Sequence, residues 1–217
     1  MSADATLRLT EIFHSLQGEA RTVGLPTVFV RLTGCPLRCQ YCDTAYAFEG
    51  GNQFTLKSIV QEVVAYDCRH VTVTGGEPLA QPNCLPLMKL LCDQGLSVSL
   101  ETSGAMPIES VDERVSIVLD LKTPGSLESN RNLYENTALL QQKDQVKFVI
   151  CDRQDYEWAK AKLLEYNLVE RVGDVLFSPS FSQVNNAELA QWILQDRLKV
   201  RMQLQLHKII WGDEPGR

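Results

Sequence analysis

Three cysteines lie close together in the run GCPLRCQYCDT, at Cys35, Cys39 and Cys42. Their C-x3-C-x2-C spacing places three thiols in one short loop, and cysteine is the usual protein ligand of iron–sulfur clusters. A [4Fe–4S] cluster has four irons, so three cysteines leave one iron free to bind a group that is not protein. The triplet therefore predicts a cluster with one open coordination position.

A structural zinc site and a disulfide framework are the alternatives for the triplet. Zinc prefers four closed ligands in two spaced pairs, often with histidine, and neither His14 nor His70 lies near the loop. Disulfides are typical of small secreted domains, and the seven cysteines of this 217-residue chain are an odd number for full pairing. The other cysteines are scattered, and we interpret them as small buried side chains rather than ligands of a second cluster: Cys68, Cys84, Cys92 and Cys151.

A second motif, HVTVTGGEP at residues 70–78, has the pattern of a buried strand that ends in a Gly-Gly turn. Two glycines let the backbone approach a ligand closely, and Glu77 offers a carboxylate to an ammonium group. An ordinary strand-to-helix turn contains the same residue types and is the alternative interpretation. Because the motif accompanies the cysteine triplet, we favour a binding role.

Length and composition favour one compact enzyme domain over residues 1–217, with 44% hydrophobic and 22% charged residues. The net charge of −6 disfavours direct binding of nucleic acid through its phosphates. No apolar run approaches the roughly 20 residues that span a bilayer, so no membrane association is expected. The start, MSADATLRLTE, lacks the regions of a signal peptide, and together with reduced thiols this predicts a cytoplasmic location.

Strand-like and helix-like segments alternate along the chain. The predicted strands are 27–33, 70–74, 96–101, 116–122, 145–151, 175–179 and 200–207, and the predicted helices are 56–65, 85–94, 134–142, 156–166 and 187–196. Several strands are continuous apolar runs, as in parallel strands buried on both faces. The repeat predicts an α/β fold with a mostly parallel sheet. Since a complete eight-fold barrel takes about 250 residues, an incomplete, open β/α barrel is expected.

In such barrels the loops at the carboxyl ends of the strands build the active site. Polar residues recur at these predicted ends, in addition to the cysteines and the Gly-Gly turn: residues 101–104, residues 120–124, Lys147, residues 178–180, Gln205, His207 and Lys208. Taken singly, each is more typical of a cap or a solvated strand end. Their recurrence at every predicted end indicates one shared polar site.

The cysteine triplet, with an aromatic residue before its last cysteine, follows the strand-like TVFVRLTG and precedes GGEP. This combination resembles the radical S-adenosylmethionine (SAM) enzymes. The resemblance implies that SAM binds the open iron through its amino and carboxylate groups. It also implies that an electron from the cluster cleaves SAM to methionine and a 5′-deoxyadenosyl radical, while the protein supplies binding and orientation.

Further segments narrow the resemblance, namely SLQGE at residues 15–19, Gly24, Arg31, CDT after the cysteines, ETSG, and QLHK near the end. Together they resemble the 7-carboxy-7-deazaguanine synthase family over nearly the whole chain. The resemblance implies a ring-contracting lyase that converts 6-carboxy-5,6,7,8-tetrahydropterin to 7-carboxy-7-deazaguanine with loss of ammonia, in queuosine and 7-deazapurine biosynthesis. It also implies Mg²⁺ in addition to the cluster and SAM.

The family's site residues transfer to matching positions of this chain. The Thr of CDT, Thr44, would bind Mg²⁺, a hard cation that keeps several waters. The positions that match SAM contacts are Gln40, Tyr41, Gly76, Glu77, Ser103, Lys122 and Ser178. The positions that match substrate contacts are Leu16, Gln17, Gly18, Glu19, Arg31, Thr74 and His207. Among the substrate contacts, the Arg31 fork suits a carboxylate, although an exposed cation at a strand end is the alternative.

The implied partners are an electron donor such as flavodoxin or ferredoxin, the small pterin substrate, and a second copy of the chain in a homodimer. Two other functions remain open. A small radical SAM activase that generates a glycyl radical on a partner protein would share the triplet but would not need LQGE or the Thr of CDT. A non-catalytic iron–sulfur electron carrier would explain the cysteines but not GGEP or the polar strand ends.

Overall fold

The computed structural model describes residues 5–212 and 214–216. The strands in this part of the chain are β1 (Thr6–Leu16), β2 (Pro26–Leu32), β3 (Asn52–Thr55), β4 (His70–Gly75), β5 (Ser97–Thr102), β6 (Ser116–Asp120), β7 (Gln145–Ile150), β8 (Asp174–Pro179) and β9 (Arg201–Met202). The helices are α1 (Leu56–Ala65), α2 (Cys84–Asp93), α3 (Arg153–Glu165), α4 (Leu168–Arg171), α5 (Asn186–Gln195) and α6 (Leu206–Trp211). None of the described helices has both the length and the apolar character needed to cross a bilayer.

All the described strands belong to one sheet with the order β3-β1-β2-β4-β5-β6-β7-β8-β9. Strand β1 pairs antiparallel with β2 and with β3, whereas every neighbouring pair from β2 to β9 is parallel. The two ends of the order are edge strands that do not pair with each other, so the barrel is open. The predicted α/β fold, a mostly parallel sheet in an incomplete barrel, is confirmed.

The core lies between the sheet and the helices that pack on it. Strands β2 and β4 are buried along most of their length, including Val28, Val30, Val71 and Val73, because parallel strands are covered on both faces. Helix α1 begins where the Thr55 side chain accepts a hydrogen bond from Ser58 N, so its start is capped locally and its bounds match the predicted 56–65.

Two strands and the short helix α4 were missed in the sequence. Strand β1 buries Leu7 and Leu9 almost completely, while the rest of it is exposed or partly buried. Its apolar pattern is therefore weak, and its antiparallel pairing with β2 gives it its strand geometry. Strand β3 has Phe54 as its one apolar residue and is held by pairing with β1.

The predicted helix 134–142 is wrong. The chain forms only a short 3₁₀ helix at Tyr134–Leu139 there. The Asn136 side chain donates to Met106 O at 2.9 Å and accepts from Ile108 N at 3.2 Å, and Thr137 Oγ1 donates to Tyr134 O at 2.7 Å. Polar side chains that bond to nearby backbone compete with a helix, and here they fix a compact crossover from β6 to β7.

The predicted strand 200–207 is also wrong beyond its first residues. Only Arg201–Met202 pairs with β8, and α6 begins at Leu206. The backbone N–H of Leu206 donates instead to Gly18 O at 3.0 Å. Because Gly18 follows β1 on one side of the sheet and Leu206 follows the opposite edge, this contact draws the open side of the barrel together.

Candidate functional site

A cavity of about 540 Å³ lies at the carboxyl ends of the parallel strands. Most residues predicted for the site line it: Leu16, Gln17, Gly18, Glu19, Arg31, Cys35, Cys39, Tyr41, Cys42, Thr44, Thr74, Gly76, Ser103, Lys122 and His207. These positions come from loops and strands spread over nearly the whole sequence. The fold therefore brings the two predicted contact sets, for SAM and for the substrate, into one cavity.

The three cysteines of the triplet lie in the loop after β2, and all of them are free and line the cavity. The loop is held by Cys42 N, which donates to Cys39 O at 3.1 Å, and by the buried Leu37 side chain. Burial raises the pKa of the Cys35 thiol and raises that of Cys39 to about 11. Iron binding therefore has to displace protons from these thiols, as metal binding to cysteine does generally.

The arrangement of the thiols suits a cluster better than a single ion. Among the described residues, no group of three or more His, Cys, Asp or Glu side chains is placed to hold one metal ion. A [4Fe–4S] cluster takes one thiolate on each of several irons, so its ligands need to surround a volume rather than converge on a point. The cysteine loop at the cavity wall fits that requirement, and a structural zinc site is disfavoured.

The Gly-Gly turn after β4 packs directly against the start of the cysteine loop. A Cβ on Gly75 would lie 2.2 Å from Leu32 O, and one on Gly76 would lie 2.2 Å from Gly34 O. Gly75 also has a positive φ of 152°. Only glycine fits at these two positions, and as a result the turn brings bare backbone to the cavity next to the cysteines.

Glu77 is fully buried and does not line the cavity. Its carboxylate accepts hydrogen bonds from Leu79 N at 3.0 Å, from Thr102 Oγ1 at 2.9 Å and from Ser103 N at 2.7 Å. The Ser103 hydroxyl donates to the same carboxylate at 2.5 Å. The structure thus places Glu77 behind the turn, where it connects β4 to the end of β5.

We expect Glu77→Gln to lower the free energy of unfolding by about 2 kcal/mol, because an amide NH₂ would face buried donors that need an acceptor. Urea denaturation of the purified apoprotein measures this loss. Glu109→Gln, which changes an exposed carboxylate to an amide, is the matched control and should leave the midpoint unchanged. Equal midpoints for both variants would contradict the structural role of Glu77.

A buried ion pair between Glu19 and Lys147 lies at the wall of the cavity, and Gln205 Nε2 donates to Glu19 Oε1 at 2.8 Å. Burial opposes the charge on Glu19, but Lys147 outweighs it and lowers the pKa of Glu19 to about 2. Burial likewise opposes the charge on Lys147, and Glu19 holds the Lys147 pKa above its usual value. Burial lowers the pKa of the nearby His207. The cavity therefore holds a fixed carboxylate and a fixed ammonium at neutral pH.

Glu101 is a cavity residue to which the sequence analysis assigned no role. Its carboxylate accepts from Thr74 Oγ1 at 2.9 Å and from Gln17 Nε2 at 3.3 Å. Burial, together with the negative charge of Glu19, raises the pKa of Glu101. In the sequence it is the first residue of ETSG, near the end of a strand in which polar and apolar residues alternate. The polar neighbours that make it a site residue come from distant parts of the chain.

Arg31 lines the cavity and stacks on aromatic rings. Its Nε donates to Glu11 Oε1 at 2.7 Å, and its guanidinium carbon lies 5.6 Å from the centre of the Phe13 ring and 5.9 Å from that of Tyr46. The Tyr46 hydroxyl donates to the same Glu11 oxygen at 2.8 Å. These contacts hold the guanidinium plane in one orientation, as binding a carboxylate through two N–H groups requires.

Two buried polar atoms beside the cysteines have no hydrogen-bond partner within the described chain, Tyr41 Oη and Asp120 Oδ1. The other Asp120 oxygen, Oδ2, lies 2.9 Å from Lys122 Nζ. Burial opposes the charge on Lys122, but Asp120 outweighs burial and keeps the Lys122 pKa well above its usual value. Buried polar atoms without partners are rare, so this part of the cavity fits a polar ligand.

Three predicted contact residues do not line the cavity: Gln40, Glu77 and Ser178. The Gln40 amide donates to Gly125 O at 3.1 Å and forms two hydrogen bonds with the Gln183 amide, at 3.2 and 3.1 Å. Ser178 is buried within β8, and its Oγ has no hydrogen-bond partner among the residues that the structure describes. Thr44 does line the cavity, and its Oγ1 donates to Asp43 Oδ1 at 3.0 Å.

Comparison with known proteins agrees with this geometry. Residues 29–125 match the Radical SAM superfamily. The 7-carboxy-7-deazaguanine synthase of Chlorobaculum tepidum is 42% identical to the chain, over 99% of this chain and 98% of the relative. That of Koribacter versatilis is 41% identical over 96% and 98%. The chain belongs to the 7-carboxy-7-deazaguanine synthase family.

Solved structures agree on the fold. The crystal structure of QueE from Escherichia coli is similar with a TM-score of 0.74, at 23% identity, over 93% of this chain and 95% of that chain. Streptococcus suis SuiB bound to S-adenosylmethionine has a TM-score of 0.55 over 79% of this chain and 45% of that chain, at 14% identity. The open barrel of this 7-carboxy-7-deazaguanine synthase family member is thus shared with distant proteins.

As a radical SAM enzyme of the 7-carboxy-7-deazaguanine synthase family, the protein uses a [4Fe–4S] cluster and SAM. The residues present fit both groups. Three thiols without a fourth protein ligand line the wall, and the bare Gly76 backbone lies next to them. The unpartnered Tyr41 hydroxyl and the Asp120–Lys122 pair supply polar groups on the same side.

Proposed function

We propose that this protein converts 6-carboxy-5,6,7,8-tetrahydropterin to 7-carboxy-7-deazaguanine with loss of ammonia, in queuosine and 7-deazapurine biosynthesis. The observation that carries the proposal is a single cavity lined both by the cysteine thiols and by charged side chains of both signs, Glu19, Lys147 and Arg31. A carboxylated pterin presents ring donors and an anionic group. The cavity offers an acceptor for the ring donors and a cation for the anionic group.

On the cofactor side, the bound cluster and SAM supply a 5′-deoxyadenosyl radical. The three cysteines hold the cluster, Gly76 binds the methionyl amino group, and Ser103 contacts a neighbouring polar edge of SAM. Glu77 acts through Ser103, because its carboxylate fixes both the hydroxyl and the backbone N–H of that residue. The remaining contacts with SAM are assigned to Gln40 and Tyr41 through the backbone, to Lys122, and to Ser178 through the turn that follows β8.

On the substrate side, Arg31 binds the pterin carboxylate and Glu19 accepts hydrogen bonds from ring N–H groups. Glu19 is suited to this because its lowered pKa keeps it ionised at any physiological pH. The other contacts are assigned to Leu16, Gln17, Gly18, Thr74 and His207. Gly18 lies against His207, since a Cβ on Gly18 would be 2.0 Å from His207 Nδ1, so any side chain at this position would displace His207 from its place in the cavity.

Magnesium is assigned to Thr44, a half-buried residue that lines the cavity beside the exposed Asp43. A hydroxyl, water and substrate oxygens suit a cation that keeps part of its hydration shell. The single protein ligand explains why the described chain holds no preformed acidic cage.

We expect Thr44→Val to raise the Mg²⁺ concentration at half-maximal activity at least about tenfold, because a hard-cation ligand is replaced by a methyl group. Titration of turnover with MgCl₂ at constant ionic strength measures the change. Cluster content, read from iron analysis, should stay at the wild-type level. An unchanged Mg²⁺ titration would remove Thr44 from the metal site.

The proposal includes a single radical SAM domain over residues 1–217, a homodimer, a cytoplasmic location and an electron donor of the flavodoxin or ferredoxin type. It includes no direct contact with nucleic acid or membrane. The family membership supports a small-molecule substrate.

An anaerobic turnover assay on the reconstituted protein tests the function. The assay contains reductant, SAM, MgCl₂ and 6-carboxytetrahydropterin, and mass spectrometry detects the carboxy-deazaguanine. Deoxyadenosine without deazaguanine would contradict the substrate and favour an activase with a protein partner. An intact cluster with no SAM cleavage at all would favour an electron carrier and contradict the enzyme.

A further inference from the structure

Residues 17–21, here called the strap, carry Gln17 and Glu19 into the cavity. The strap is held from outside the cavity by Gln203, which follows β9 and is only 5% exposed. Gln203 does not line the cavity, and it lies outside the motifs that carry the family resemblance.

Gln203 forms two hydrogen bonds with a single strap residue. Ala20 N donates to Gln203 Oε1 at 2.7 Å, and Gln203 Nε2 donates to Ala20 O at 2.8 Å. Ala20 is 3% exposed, so its backbone groups are shielded from water. Buried backbone donors and acceptors are almost always paired, and here one side-chain amide pairs both groups of one residue.

The conformation of Ala20 makes this pairing important. Its φ of 59° lies in the left-handed region, which residues with a Cβ rarely adopt. Such a conformation persists only where the surroundings determine it. Glu19, the preceding residue, then has its carboxylate fixed by Gln205 and Lys147. The Glu19 carboxylate can therefore reach Gln205 and Lys147 only if the backbone at Ala20 keeps its left-handed conformation.

We propose that Gln203 is a positioning residue for the pterin: by holding Ala20 in its left-handed conformation, it sets the place of Glu19 and Gln17 in the cavity. It thereby determines affinity for the pterin and leaves radical formation from SAM unchanged. This inference rests on the proposed function. It concerns the substrate side alone, because the cysteine loop and the Gly-Gly turn have no hydrogen bond to the Gln203 side chain.

Gln203→Leu tests the inference in the reconstituted protein. The KM and the equilibrium dissociation constant for 6-carboxytetrahydropterin should rise about tenfold, since two buried backbone groups lose their partners. The kcat at saturating pterin and the rate of SAM cleavage without pterin should stay within about twofold. Amide hydrogen exchange of a peptide that spans the strap should become faster. Gln203→Glu keeps the acceptor for Ala20 N and should fall between wild type and Gln203→Leu in every readout.

The matched control is Gln145→Leu, which removes another buried glutamine, at the start of β7 and outside the cavity. It should leave pterin affinity and strap exchange unchanged, even if it lowers stability. Faster strap exchange in Gln203→Leu with unchanged pterin affinity would overturn the inference while the proposed function stands. The inference would also be overturned if Gln203→Leu changed neither the exchange of the strap nor the affinity for the pterin. Wild-type protein that does not bind the pterin would overturn the function, and the inference with it.

Discussion

Replacing Cys39 with alanine is expected to abolish both the cluster and turnover. The structure offers no substitute ligand, because among the described residues no His, Asp or Glu side chain completes a metal-binding group with the remaining thiols. A cluster held by only two cysteines would leave two irons without protein ligands. We expect product formation to fall by at least about a thousandfold, since without the cluster no radical is formed. Iron content and visible absorption measure the cluster, and mass spectrometry measures the product.

Cys151→Ala is the matched control for this loss. Cys151 is a free, buried cysteine whose Sγ lies 3.9 Å from the Gln40 amide nitrogen, near the cysteine loop but not on the cavity wall. The control variant should keep its iron and its activity. A Cys39→Ala protein with wild-type iron content would show that the triplet is not the ligand set.

Lys147→Met is expected to cause the largest loss of stability among the site variants. Removal of the ammonium leaves the Glu19 carboxylate buried without its partner, and breaking one half of such a pair costs about 3–5 kcal/mol. Urea denaturation of the apoprotein measures this. In the double variant Glu19→Gln/Lys147→Met, both charges are gone and much of the loss should be recovered, as for buried pairs replaced together.

The surface pair of Lys89 and Asp93, four residues apart on α2, supplies the control. Lys89→Met should leave the urea midpoint essentially unchanged, because solvent screens exposed pairs. If Lys147→Met and Lys89→Met were equally mild, the ion pair at the cavity wall would not contribute to stability.

The pair also predicts a pH dependence of stability. The folded-state pKa of Glu19 is lowered from 4.5 to about 2, so its contribution is present above pH 4.5 and is lost as the pH falls through 2. The pKa of Lys147 is raised from 10.5, so its contribution is present below that pH and is lost at higher pH. Relative to the double variant, the urea midpoint of wild type should therefore fall as the pH decreases from 4.5 to about 2. If the urea midpoints of the two proteins changed in parallel with pH, the ion pair between Glu19 and Lys147 would be contradicted.

Most of the fold could be predicted because its elements carry local signals. Helix α1 has a Thr55 cap and an apolar stripe, and strand β4 is a run of β-branched valines and threonines that ends in glycine. The errors occur where partners distant in sequence decide the conformation. Residues 134–142 were predicted as a helix from apolar spacing alone, but Asn136 bonds to backbone about 30 residues away, at Met106.

The candidate site divides in the same way. Cysteine spacing and the Gly-Gly turn act within a few residues, so their chemistry could be inferred from the sequence, and the cavity contains both. Glu77 could be found by its motif, but its fully buried place behind Ser103 could not, because Ser103 lies on another strand end. Glu101 belongs to the ETSG motif, but its contacts with Thr74 and Gln17 could not be inferred, because these residues lie on distant segments of the chain.

By itself, the sequence determined the family and the repeat of strands and helices in the parallel part of the sheet, and it predicted the cluster ligands, since these depend on short spacings and on periodicity. Only the tertiary structure decided which residues distant in the sequence come into contact. Glu19 and Lys147 are 128 residues apart, and Ala20 and Gln203 are 183 apart. Pairs at such separations form when the two sides of an open barrel close on each other, and no local pattern encodes that contact.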